Sequence, residues 1–365
     1  MINILVFGFF IVILSAIRWK QKLKGLRISL ILLTFFLAIR YNFGNDYDNY
    51  FNLFNEVVDK FQFSIHYYNK RPTEIGWCLL CFIFKPLGFY GFIFVLTSLE
   101  GYLLYLVIKR YVQPNYYWLA LFIYFFNPNL MLTGVSAMRQ WLAICIVLFS
   151  IKYIIDRDFI KYSLMILVAY LVHTSAIICL PLFTISLFGK MKNSKVTLLF
   201  IVLFVFLYFI ISNFEISQVA DMMDESELST YTRYLSREHE STMSISLIGI
   251  VTLWTLPIVA ILRMSNYDRD MRLIVILYMF SLIVTALTNI IMMAVRINFY
   301  FWAIGIVAIP YVVEESKNYV YGKGLRILLI AITALPLLRS FYGFFNDPTF
   351  MDHYHYTTIF QVLFN

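Results

Sequence analysis

The chain has 365 residues, 61% of them hydrophobic and only 14% charged. A soluble globular domain carries about 25% charged residues, so this composition excludes one of that size. The formal net charge of +8 does not indicate nucleic acid, because the basic residues sit in short loops between apolar runs, where they set membrane orientation.

The reading that follows is an all-α polytopic integral membrane protein, with about 12 transmembrane helices plus a short re-entrant helix. It forms a single transmembrane domain over 1–365, with almost no room for a separate soluble one. Met1 to Ile17 is an apolar span with no charge before it, unlike a cleavable signal. Arg18, Lys20, Lys22, Lys24 and Arg27 follow it, which predicts a cytoplasmic loop and an N-terminus on the outer side.

Ile28–Ile39 is expected to return outward, and residues 40–72 to form an outer-face loop. Thr73–Phe84 reads as a short helix tucked in from that face and broken at Lys85-Pro86-Leu87-Gly88. Gly88–Ile108 crosses to Lys109-Arg110 on the inside, Asn115–Leu132 goes out and Met138–Ile155 returns. Tyr162–Val172 and Thr174–Phe188 form two short spans with His173 at their outward junction. Val196–Ser212 and Ser244–Leu262 flank a second outer-face loop at 213–243. Leu273–Met293, Arg296–Val313 and Ile327–Phe341 complete the set and leave the C-terminus outside.

Once the chain is threaded this way, its unusual polar residues collect at the outer face. They are Arg40, Asp46 and Asp48 in the 40–50 segment, then Glu74, Arg139, Gln140, His173, Arg296, Asn298 and Tyr300. Charge near membrane depth costs several kcal/mol unless paired or hydrated, and so marks function. Each residue also has a structural reading. Arg40 can snorkel from its helix end, Asp46 and Asp48 can cap a turn after Gly44, and Glu74 can complement a helix dipole. His173 can be a packing residue, and Arg139 and Arg296 can be structural ion pairs. Arg296 and Tyr300 are four apart and share a helix face.

Guanidinium groups match phosphate oxygens through paired hydrogen bonds and stay charged when desolvated. Two arginines with a carboxylate and a histidine therefore suit group transfer from an anionic lipid. The arginines would hold the leaving diphosphate, and the carboxylate or histidine would take a proton from the attacking hydroxyl. Arginines on an outer face would also fit an anion transporter. Cys78, Cys81, Cys145 and Cys179 lie in apolar stretches with no second pair at zinc spacing, and there is no H-E-x-x-H and no nucleotide-phosphate loop. Neither a metal nor a cofactor is expected.

Several segments together resemble the EpsG family of polysaccharide-assembly proteins, related to the O-antigen polymerases called Wzy. They are Arg40-Tyr-Asn-Phe-Gly-Asn-Asp-Tyr-Asp-Asn-Tyr-Phe, Glu74-Ile-Gly-Trp, Met138-Arg-Gln-Trp-Leu-Ala, Ala169-Tyr-Leu-Val-His-Thr-Ser-Ala and Arg296-Ile-Asn-Phe-Tyr. The tail Tyr354-His-Tyr-Thr-Thr-Ile-Phe resembles the family's closing Pro-Tyr segment, with His355 in place of the proline.

The resemblance implies a multi-spanning, GT-C-like glycosyltransferase of the bacterial inner membrane. Such an enzyme joins oligosaccharide units carried on undecaprenyl diphosphate at the outer face, for O-antigen, capsule or exopolysaccharide. Membrane lipids are its surroundings, and a chain-length regulator and a flippase are candidate partners. Carried over, Arg139 and Arg296 would hold the donor diphosphate, with Arg40, Gln140 and Tyr300 supporting them. Asp46 or His173 would be the base, with Glu74 next in line. Two other readings are a lipid-linked oligosaccharide flippase or exporter, and a membrane acyltransferase acting on surface polysaccharide. A flippase should carry charge along a central path, and Glu100 is the clearest mid-helix charge.

Overall fold

A computed structural model describes residues 2–17, 22–60, 66–68, 71–188, 269–287, 293–318, 321–347 and 353–363, with single positions 195 and 202. The expected spans at 196–212 and 244–262 and the 213–243 loop lie outside the described residues, apart from position 202. The described chain is an all-α membrane protein carrying two minor two-stranded pairings. Among the described residues, four helices are long and apolar enough to cross a membrane, or five if one bent pair counts as a single span.

Helices α1 (Ile2–Ala16) and α2 (Lys22–Ala38) pack together and lead into strand β1 (Arg40–Tyr41). The segment expected as an outer loop is not merely a loop. It holds an amphipathic helix, α3 (Tyr47–Lys60), whose Tyr47, Tyr50, Leu53, Phe54 and Val57 are buried. That three-to-four spacing lays one apolar stripe on the bundle and leaves the polar positions outside. Strands β2 (His66–Tyr68) and β3 (Arg71–Thr73) then form an antiparallel hairpin.

The short helix expected after it is α4 (Ile75–Ile83). A 3-10 turn at Lys85–Leu87 and Gly88 at φ +65° separate it from α5 (Gly88–Tyr111). Buried Trp77 anchors α4, edge-on to Tyr50 of α3 and Phe92 of α5. Gly76 permits a close approach. A Cβ there would stand 2.5 Å from the carbonyl oxygen of Leu171.

The stretch expected as one span at 115–132 is broken. Helix α6 (Tyr117–Phe126) ends at Asn127, and α7 (Pro128–Ser136) leaves it at 61°. Pro128 cannot donate a backbone hydrogen bond and holds Asn127 extended, at φ −92° and ψ 107°. The Asn127 side chain then caps α7 by accepting from the Asn129 N–H at 3.1 Å. A second break at Ala137 starts α8 (Met138–Ile155), a helix buried along most of its length.

Helix α9 (Phe159–Val172) ends at His173, and a 3-10 segment, Thr174–Thr184, folds back along it before the short α10 (Ile185–Phe188). The Tyr162 hydroxyl donates to the Cys179 carbonyl at 2.5 Å, which fixes the hairpin with His173 at its tip. Helices α11 (Arg269–Leu287) and α12 (Met293–Glu315) pack side by side, and α12 also lies against α6 and α8. After α13 (Gly322–Asn346), strand β4 (Thr357–Thr358) pairs antiparallel with β1, placing Arg40 opposite Thr358, and α14 (Ile359–Leu363) follows.

Candidate active site

The breaks described above converge on one cavity of about 610 Å³. Its wall includes Asn45, Asp46, Asn49 and Tyr50 from the start of α3, and Asn129, Thr133 and Ser136 from α7. Arg139 and Gln140 come from the first turn of α8, and Arg296 and Phe299 from the first two turns of α12. His173 comes from the hairpin tip and Tyr354 from the tail. Five of the sequence candidates therefore face one space: Asp46, Arg139, Gln140, His173 and Arg296.

Glu74 stands behind the wall and links two of them. Its Oε1 lies 2.9 Å from His173 Nδ1, and its Oε2 accepts from Arg139 Nη1 at 2.5 Å. The Thr174 N–H also donates to Oε1, at 3.3 Å. Glu74 occupies the N-cap position of α4, yet its side chain makes no capping bond. The simple dipole role considered for it gives way to the pairing with His173 and Arg139.

Burial opposes ionisation of Glu74, but the His173 hydrogen bond and the Arg139 charge outweigh it and hold the carboxyl at about 2. Its oxygens are therefore acceptors at neutral pH, so His173 Nδ1 carries the proton it shares with Oε1. In the neutral imidazole this leaves the Nε2 lone pair unprotonated. The Arg139 guanidinium also lies 5.8 Å from the centre of the Tyr50 ring.

Gln140 spends its side-chain nitrogen on the Arg296 carbonyl, donating at 2.6 Å, and so joins the first turns of α8 and α12. The Arg296 residue itself is exposed. Asp46 accepts from Asn49 Nδ2 at 3.2 Å. Asp46 and Asp48 stand at D-x-D spacing, but only Asp46 lines the cavity. No group of three or more histidine, cysteine or acidic side chains converges to hold a metal among the described residues.

Two candidates lie elsewhere. Arg40 neither snorkels nor lines the cavity; it is 1% exposed. Its guanidinium donates to the Leu37 carbonyl and, at 3.2 Å, to Thr97, and it shares a small void with Glu100 inside the bundle. Arg40 stands in β1 just past the end of α2, and its long side chain fills the core instead of reaching water. Tyr300 is also buried and meets Ser175 at 3.0 Å, one helical turn beyond Arg296.

Sequence reasoning missed Tyr354. Its hydroxyl is 2.6 Å from Ser136 Oγ and 3.5 Å from Asn45 Oδ1, so the tail closes one side of the cavity. It also missed Asn129, whose position follows from the break at Pro128. The signal was present as Asn127-Pro128-Asn129 inside an apolar run.

A model of the EpsG family matches residues 25–356. No curated protein and no solved structure matches the chain.

Proposed function

The chain belongs to the EpsG family, a Wzy-like polymerase family, and from that premise we propose that the cavity joins lipid-linked oligosaccharide units into a polysaccharide. The observation that carries this reading is the Arg139–Glu74–His173 chain of contacts at the cavity wall. The chemistry assigns roles in order. The donor is a sugar chain on a polyprenyl diphosphate, undecaprenyl in a bacterial membrane. Arg139 and Arg296, each in the first turn of a helix facing the cavity, receive the diphosphate. The N-terminus of α8 adds partial positive charge to the Arg139 guanidinium.

The acceptor hydroxyl of a second lipid-linked unit approaches His173. Its proton passes to Nε2 as its oxygen attacks the anomeric carbon. The new glycosidic bond forms and the bond to the diphosphate oxygen breaks. Arg139 and Arg296 stabilise the charge left on that oxygen. Glu74 is too acidic to be the base, and instead orients His173 and stabilises the imidazolium that forms. Asp46 is the less supported base, since the side chain it meets is the Asn49 amide and not a partner that would orient it toward a hydroxyl. Gln140 acts by holding the Arg296 backbone.

In this reading the enzyme is a GT-C-like glycosyltransferase of the bacterial inner membrane, with about 12 spans. The cavity faces outward, as do both termini. A flippase supplies the units, and a chain-length regulator acts on the product.

The test is the length distribution of surface polysaccharide in a deletion strain complemented with wild type, His173→Ala or Arg139→Ala. Collapse of the ladder to single units, with the protein present in the membrane, supports the reading. An unchanged ladder refutes it.

A further inference from the structure

We infer that the far end of α5 and α8 forms a binding site for the headgroup of an anionic phospholipid. A second cavity, of about 330 Å³, opens between the C-terminal turns of these helices. Lys109, Arg110 and Lys152 line it together with Leu106, Val107 and Phe149. On α8, Lys152 is 13 residues beyond Arg139, which at 1.5 Å per residue places it roughly 20 Å along the helix. The site is therefore separate from the larger cavity and does not rest on the polymerase reading.

Of these three cations only Arg110 has a carboxylate within 4 Å among the described residues, although Asp156 and Asp270 both lie near the cavity's Tyr111. The Lys152 ammonium lies 3.8 Å from the Phe149 ring centre and 4.6 Å from that of Tyr153. Lys109 sits 5.8 Å from the Tyr105 ring. Neither lysine reaches an acidic side chain among the described residues. Arg110 reaches Asp156 only at 3.9 Å, with both side chains about half exposed. A pair so long and so hydrated holds its partners weakly.

Helix-end cations also complement the helix dipoles, and that explains why basic residues occur here. It does not explain three of them meeting at one recess with apolar walls. The layering does. Leu106 and Phe149 each lie three residues before a cation of the same helix, toward the bundle's middle. A lipid presents the same order, with acyl chains against the apolar turn and a phosphate at the cations. Inorganic phosphate shares the charge but not the chains, and would leave the apolar wall bare.

The test uses the full-length protein purified in detergent and examined by native mass spectrometry. Phosphatidylglycerol is titrated against phosphatidylcholine with the same acyl chains. One tightly held phosphatidylglycerol is expected. Its affinity should fall about fivefold for each cation removed in Lys109→Gln, Arg110→Gln and Lys152→Gln. The control Lys60→Gln/Lys85→Gln, at the other end of α5, should leave it unchanged. No preference for the anionic lipid overturns the proposal, as does an equal loss in the control. Full displacement by millimolar inorganic phosphate also overturns it, by making this a phosphate site. If the variant carrying all three substitutions together is not recovered folded, Lys152→Gln alone must weaken binding about fivefold while Lys152→Arg retains it.

Discussion

His173 Nδ1 and Glu74 Oε1 stand 2.9 Å apart although 99 residues separate them in the chain. The contact joins the tip of the α9 hairpin to the start of α4, and it decides which nitrogen of the imidazole faces a substrate. Removing the base should lower turnover by roughly 10²–10⁴-fold. His173→Ala should therefore abolish chain growth in a purified assay with lipid-linked units. Glu74→Gln, which keeps the shape but not the charge, should lower turnover more than it raises KM. Equal activity in Glu74→Gln and wild type would remove the carboxylate from the mechanism.

The pH dependence follows from the same pair. Glu74 is depressed from 4.5 to about 2, so its ionised contacts stabilise the fold fully above about 4.5 and are lost as pH falls through about 2. Glu74 therefore stays ionised through the neutral range, and Glu74→Gln should leave the fold's stability flat with pH where the wild type loses stability between about 4.5 and about 2. Melting temperatures of wild type and Glu74→Gln across that acid range would check this.

Gly76 governs the distance. A Cβ at this position would meet the Leu171 carbonyl oxygen at 2.5 Å, so Gly76→Ala must push α4 away from the last turn of α9. The expected cost is about 1–3 kcal/mol in stability. Activity should fall further than that loss explains, because Glu74 moves with the helix. A thermal melt paired with the polymer assay separates the two effects.

Arg139 and Arg296 should behave differently. Arg139 is tied to Glu74, so Arg139→Ala should lower both thermal stability and activity, and its effect should not add to that of Glu74→Gln. Arg296→Ala removes an exposed side chain and should reduce activity with little change in melting temperature. A double-mutant cycle and melting curves test both statements.

Arg40 and Glu100 face the same small void, and together they set a stability test. Arg40→Met removes the guanidinium's bonds to Leu37 and Thr97, and Arg40→Met and Glu100→Leu should each cost about 1–3 kcal/mol. The double variant should recover much of that loss. Additive losses in the melting temperature would show that the two charges do not sense each other.

Much of the architecture was legible because punctuation in apolar runs has a physical cause. Pro86 and Gly88 announced the break after α4, and a lone histidine between two short apolar runs announced the hairpin at 173. The break at Pro128 carried the same kind of mark, but the run around it was long enough to pass for one span. Helix α3 was hidden because its apolar residues recur every three or four positions among polar ones, and so read as a polar segment. Arg40 was misplaced because a residue at a helix end can turn outward to water or inward to the core, and composition does not distinguish them. Charge sidedness gathered Asp46, Arg139, His173 and Arg296 together with Arg40, Asp48 and Tyr300, and only the first four line the cavity. Glu74's service to two of them, and Tyr354's return from the tail, are long-range contacts with no local pattern.

The pairing of β4 with β1 brings a late part of the chain beside an early one. Tyr354 is made after every other residue lining the large cavity. Without it the wall that carries the arginines and the histidine lacks the hydroxyl that meets Ser136 and Asn45, and the chamber would stay open along one side. The chamber is therefore completed by contacts that reach across 218 and 309 positions of the chain, to Ser136 and to Asn45.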